Sequence, residues 1–201
     1  MVVRADSGGG MVKVVDYVQI GVGHLYRVEV KNREFAILRT GVGTEKSAKT
    51  LRLILQEMNV RNVLNIGTCG SLSDRVSVGV PLAIKSIVDE ENNRYECDMK
   101  WINKFDYEWE TAKLVTAREG IVSRKQKREI IRLTDASIVD MEAAALAKIC
   151  GEFGIHFSAL KITTDFADHL AASHFKSNLL KTSKRLSRIV VKLLEKWHEN
   201  G

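Results

Sequence analysis

Short apolar runs alternate with stretches of helical period along most of this chain, and that alternation constrains the fold more than any other feature. Asn62–Ile66, Val80–Val88, Leu114–Thr116 and Ile155–Thr163 are short and rich in β-branched residues, so they are predicted as strands. Ala48, Leu51, Leu55 and Met58 fall on one face of a predicted helix over Glu45–Met58. Ala144, Ala147, Cys150 and Phe153 do the same in a helix beginning at Asp140, with Gly154 as its stop. A last helix is predicted over Ser173–Trp197. Nearer the N-terminus, Tyr17–Val22, Tyr26–Val30 and Phe35–Thr40 read as strands, with Lys31-Asn32-Arg33 turning between the last two. Strands alternating with helices imply a largely parallel or mixed sheet covered on both faces, so the predicted class is α/β. Asp89–Glu110, rich in Asn, Glu and aromatics, is read as a loop over a site.

At 201 residues the chain is expected to form one domain over 1–201, by a prior of about 150 residues per domain. Hydrophobic and charged fractions of 45% and 28% exclude a disordered, collagenous or rod-like chain. No run approaches the roughly eighteen apolar residues of a membrane-spanning helix, and no membrane partner is expected. MVVRADSGGG lacks an apolar core and carries Arg4 and Asp6, so no signal peptide is expected. Three cysteines, Cys69, Cys97 and Cys150, form no close pair and favour a reducing, cytoplasmic location.

The net charge of +6 gathers in two places. Arg124, Lys125, Lys127, Arg128 and Arg132 form one cluster; Lys176, Lys181, Lys184, Arg185, Arg188, Lys192 and Lys196 form the other. Basic clusters can bind nucleic acid. The second set alternates with Leu179, Leu186, Ile189, Val190, Leu193 and Trp197, which is the pattern of a solvated outer helix face, and no nucleic-acid partner is expected.

In α/β sheets ligands bind at the carboxyl ends of strands, and three polar clusters fall there: Gly67–Ser71, Asp140–Glu142 and Thr163–Asp165. The GTCGS segment reads as a turn whose glycines admit a ligand close to backbone N–H groups, or as a tight strand-to-helix connection with Cys69 buried. Asp140 and Glu142 read as site carboxylates, or as an N-cap and a first-turn acid favoured by the helix dipole. Asp165 closes an apolar strand, where a carboxyl group must find partners, His169 being one candidate. Gly41-Val-Gly43 and Gly21-Val-Gly23 lack the third glycine of a dinucleotide fingerprint. The histidines His24, His156, His169, His174 and His198 show no metal-ligand spacing, and no metal site is predicted.

Taken in order, GVGTEKSAKTLRLIL, VLNIGTCGSLSDRVSVG, IVDMEAAALAKICGEFGI and ALKITTDFAD resemble the nucleoside phosphorylase and nucleosidase superfamily over roughly Tyr17–Asp168. The resemblance implies a three-layer α/β/α sandwich with a central mixed sheet, cleavage of the N-glycosidic bond of a nucleoside, a homodimer or higher homo-oligomer, and no metal or organic cofactor. It implies that Glu142 holds the ribose hydroxyls, that Met141 packs on the sugar, and that Asp165 protonates purine N7. That last role asks the carboxyl to be protonated near neutral pH, a state that burial favours. Thr68, Cys69, Gly70, Ile121, Val139, Asp140 and Thr164 are expected to line the pocket with them.

Phosphorylases of this superfamily place an arginine two residues before the first Gly of the glycine-rich segment; here that position is Asn65. The VDME run resembles nucleosidases acting on 5′-methylthioadenosine and S-adenosylhomocysteine. Hydrolysis is therefore expected, with phosphorolysis as the alternative if Arg4 or Arg39 binds phosphate. Three departures stand out. The N-terminal glutamate that activates water in the nucleosidases has no counterpart, Asp6 being the acid nearest that position. Gly120 stands where an aromatic residue over the purine is expected. The chain is also shorter than typical members. A futalosine-type substrate, a non-catalytic binding relative and a Cys69 nucleophile paired with a histidine remain as other readings.

Overall fold

The computed structural model describes residues 12–196, Trp101 excepted; Arg4, Asp6, Trp197 and His198 lie outside the described residues. The chain opens with an antiparallel meander of β1 (Val12–Ile20), β2 (Gly23–Val30) and β3 (Arg33–Arg39). Lys31 and Asn32 take φ of 48° and 62°, the left-handed pair that a two-residue hairpin needs for its twist to match the strands. Arg33 pairs with Val30 and so belongs to β3 and not to the turn.

Then follow α1 (Thr44–Glu57), β4 (Asn62–Ser71), β5 (Pro81–Asp89), β6 (Arg94–Glu96), a short 3-10 turn at Ile102–Lys104, β7 (Glu110–Thr116), α2 (Arg124–Thr134), β8 (Ile138–Asp140), α3 (Ala143–Glu152), β9 (His156–Asp165) and α4 (Ala171–Lys196). Strands β4 to β9 form a mixed sheet in the order β6-β5-β7-β8-β4-β9. β4 and β9 run parallel, as do β5, β7 and β8, while β4 meets β8 antiparallel.

Side-chain alternation sends the sheet's apolar residues into two helical layers. Cys69 and Ala159 face a core with Leu51 and Leu55 of α1 and Ala147 and Cys150 of α3. Ile66, Leu160 and Ile162 face Leu186, Val190 and Leu193 of α4. The architecture is thus a mixed central sheet with helices on both sides, as expected.

Local corrections follow from tertiary pairing. GTCGS is not a turn: β4 runs through it to Ser71, because β9 pairs with it as far as Gly70 and β8 takes up Gly70 and Ser71. Asp140 does not begin a helix. It ends β8, which pairs with β7, and Glu142 occupies the N-cap of α3. The segment read as a loop carries β6, which pairs with β5. The first basic cluster forms α2, capped by Ser123, whose hydroxyl accepts the Gln126 N–H at 3.2 Å.

Candidate active site

Sheet register places three of the predicted residues, Asp165, Gly70 and Val139, in one row. Asp165 pairs with Gly70, Gly70 with Val139, and Val139 with Val115, crossing β9, β4, β8 and β7. The register shifts between Cys69 and Gly70: Cys69 pairs with Thr163 and Gly70 with Asp165, so Thr164 is the extra residue on β9. A Cβ on Gly70 would meet Asp165 Oδ1 at 2.8 Å, Ala167 Cβ at 3.2 Å and Val139 Cγ1 at 3.3 Å, so glycine is required for the carboxyl to lie across the strand. Val139 and Ile121 share a cluster with Ala167, which brings Ile121 to the same end of the sheet.

Asp165 is buried, with 8% of the residue exposed. Oδ1 accepts the Ala167 N–H at 2.9 Å, and Oδ2 accepts from the Thr164 hydroxyl at 2.8 Å, which also lies 3.2 Å from the Cys69 carbonyl. His169 is exposed and is not among these partners. The Thr164 carbonyl is held from the other side by Asn178 of α4 at 2.9 Å.

Glu142 is half-buried, and its Oε1 accepts the Gly43 N–H at 2.8 Å. Gly43 stands at φ 93°, a conformation open to glycine, so the Gly41-Val-Gly43 loop holds a carboxylate with its backbone. Burial raises the Glu142 pKa above the ordinary value of 4.5, opposed by the Gly43 N–H and by Lys161, and reinforced by the Asp140 charge. Met141 beside it is half-buried, as is Thr68 on β4.

Asp140 and Glu142 do different work. Asp140 Oδ2 meets Lys161 Nζ at 2.7 Å, with side-chain exposures of 1% and 2%. Its Oδ1 accepts from the Thr116 hydroxyl at 2.7 Å, and the carboxylate also takes the Ala143 N–H at the start of α3. All of this capacity is spent inside the protein, so Asp140 anchors the helix that presents Glu142. Lys161 went unremarked in the sequence; a lysine inside an apolar strand was the available signal.

Cys69 is 4% exposed, and burial drives its thiol far above the ordinary range, which removes the thiolate a nucleophile needs. Asn65 is half-buried, its Oδ1 without a hydrogen-bond partner among the described residues; Arg39 is exposed. Gly120 has nothing within 4 Å of where a side chain would begin. Among the described residues no group of His, Cys, Asp or Glu is arranged to hold a metal ion, and no helix is long and apolar enough to cross a membrane.

Comparison with known proteins bears on the family and the fold. Curated relatives include the 5′-methylthioadenosine/S-adenosylhomocysteine nucleosidases of Staphylococcus haemolyticus, 26% identical over 91% of this chain and 92% of that protein, and of Buchnera aphidicola, 25% identical over 89% and 79%. Among solved structures, the Helicobacter pylori nucleosidase of the same name, bound to butyl-thio-DADMe-Immucillin-A, superposes with a TM-score of 0.84 at 19% identity, covering 92% of this chain and 89% of that one. Native futalosine hydrolase from the same organism superposes with a TM-score of 0.83 at 19% identity and the same coverage. The phosphorylase superfamily model matches residues 10–195, and with the fold and the sequence motifs in agreement, the chain belongs to the phosphorylase superfamily.

Proposed function

We propose that this protein is an N-glycosidic-bond hydrolase, acting on a purine nucleoside or thionucleoside of the methylthioadenosine/S-adenosylhomocysteine type. The observation that carries the reading is the pairing of two carboxyl groups held in different ways at one end of the sheet: Asp165 buried across Gly70, and Glu142 half-buried on the Gly43 N–H. Asp165 is the general acid. Its proton passes to N7 of the base as the bond between C1′ and N9 breaks and the electron pair leaves with the base. Glu142 binds the ribose hydroxyls, and its negative charge opposes the positive charge that develops on the sugar. Water then bonds to C1′ through its oxygen and releases one proton to solvent, from which the Asp165 carboxylate regains the proton it gave to N7. Met141, Thr68, Cys69, Gly70, Ile121, Val139 and Thr164 line the pocket, and no cofactor takes part.

Hydrolysis is favoured over phosphorolysis because Asn65 stands where an arginine would meet phosphate, and because the curated relatives described above are named nucleosidases. We place the protein in the cytoplasm as one folded domain that assembles into a homodimer or larger homo-oligomer. The free Cys69, Cys97 and Cys150 support the compartment. Chromatographic detection of free base tests the assignment. Asp165→Asn should release base roughly 10²–10⁴-fold more slowly than the wild type, the usual contribution of a general acid, with an unchanged melting temperature. Wild-type turnover in that variant would remove Asp165 from the chemistry.

A further inference from the structure

The basic cluster on α2 is not uniform. Arg124, Lys125, Arg128 and Arg132 are exposed, whereas Lys127 is turned inward and half-buried. Its ammonium donates to two backbone carbonyls, Ser71 O at 3.1 Å and Phe166 O at 2.8 Å. These are not arbitrary carbonyls. Ser71 closes β4 directly after Gly70, and Phe166 directly follows Asp165.

The second contact reaches Asp165 through one peptide unit. Phe166 C=O and Ala167 N–H are the two ends of the same planar amide, and that N–H donates to Asp165 Oδ1 at 2.9 Å. Ala167 sits at φ 49°, in the left-handed region that a residue with a Cβ disfavours. Flipping this amide would return Ala167 to negative φ, and it would also swing the N–H away from Asp165. Something must hold the amide against that relaxation, and a cation on its carbonyl does so; it also polarises the amide and strengthens its N–H as a donor.

We propose that Lys127 is a positioning residue for the candidate active site: its ammonium locks the Phe166–Ala167 amide in the orientation that holds the Asp165 carboxyl, and ties that amide to the end of β4 beside Gly70. The inference rests on the reading of Asp165 as the reacting carboxyl. The structural part of it does not depend on which substrate is used. It also gives one member of the basic cluster a role that needs no nucleic acid.

The test compares Lys127→Met, which keeps length and removes the charge, with Lys127→Arg, which keeps a donor, and with Lys125→Met as an exposed control on the same helix. Two readouts separate positioning from packing. Hydrogen exchange at the Ala167 amide, followed by NMR, reports the amide lock without any substrate, because a bonded amide exchanges only when it opens. Steady-state base release reports its consequence. Lys127→Met should speed Ala167 exchange at least about tenfold and lower kcat roughly 10–100-fold, the scale of a misplaced reacting group, with KM nearly unchanged. Lys127→Arg should restore most of both, and Lys125→Met should change neither. Unchanged Ala167 exchange in Lys127→Met overturns the proposal, as does an arginine variant as impaired as the methionine one. If Lys127→Met does not fold, Lys127→Gln takes its place under the same criteria. Slow exchange at Ala167 in a wild type that releases no base would sink the functional reading while leaving the lock in place.

Discussion

At the scale of single residues, adjacent acids in one motif have opposite duties. Asp140 has its acceptor positions filled by Lys161, Thr116 and Ala143, whereas Glu142 accepts only from backbone N–H groups, those of Gly43 and Met141 among the described residues, and is only half-buried. Burial raises the Glu142 pKa, and this has a signed consequence. A carboxyl group whose folded-state pKa is raised favours the folded state at pH below its unfolded value, and that contribution is lost as the pH rises through the folded value. Glu142→Gln should therefore be at least as stable as the wild type at neutral pH, losing that advantage on acidification toward pH 4.5, while losing at least about 100-fold in turnover. The wild-type kcat/KM profile should have an acidic limb above 4.5, because the ionised form is the one that serves a cationic sugar. Thermal unfolding and rate profiles over pH check both; an acidic limb below that value would contradict the account. Neither duty is legible in the DME letters, since partner choice depends on the distant Lys161 and Gly43.

At the scale of elements, the site is built from strand ends and loops that tertiary pairing redefines. The sequence shows Gly67–Ser71 as small and polar, which reads locally as a turn, yet β8 and β9 extend the strand through it. The Gly41-Val-Gly43 loop fails as a nucleotide fingerprint and acts as the backbone donor for Glu142 instead. Helix α2 was legible in principle: Ser123 and Gln126 have the spacing of a capping box, hidden by the charge run that follows. The buried Lys161–Asp140 pair links β9 to the start of α3, and both partners are nearly sealed from water. Removing one partner of a buried pair leaves the other charge unpaired at a cost of about 3–5 kcal/mol. Lys161→Met should accordingly lower the unfolding free energy by about that amount in denaturant titration, and a loss below about 1 kcal/mol would show that Asp140 finds another partner.

At the scale of the whole molecule, the α/β class and the helices on both faces follow from periodicity, because apolar alternation is set by which face each residue buries. What periodicity does not encode is strand order. β4 and β5 are consecutive in sequence yet separated by β7 and β8 in the sheet, and it is this arrangement that draws Gly70, Val139 and Asp165 into one row. The meander leaves Val14, Val15, Tyr17 and Val18 of β1 about half exposed or more, an apolar strip of the kind that oligomers cover.

The central claim is that these two carboxyl groups serve hydrolysis of a nucleoside. The measurement that tests it most directly is release of free base from methylthioadenosine, S-adenosylhomocysteine, inosine, adenosine and uridine, with and without phosphate. The account predicts base release from a purine nucleoside or thionucleoside in phosphate-free buffer, at a rate that added phosphate does not raise. Release that depends on phosphate, or none from any of these substrates in buffer with or without it, would contradict it.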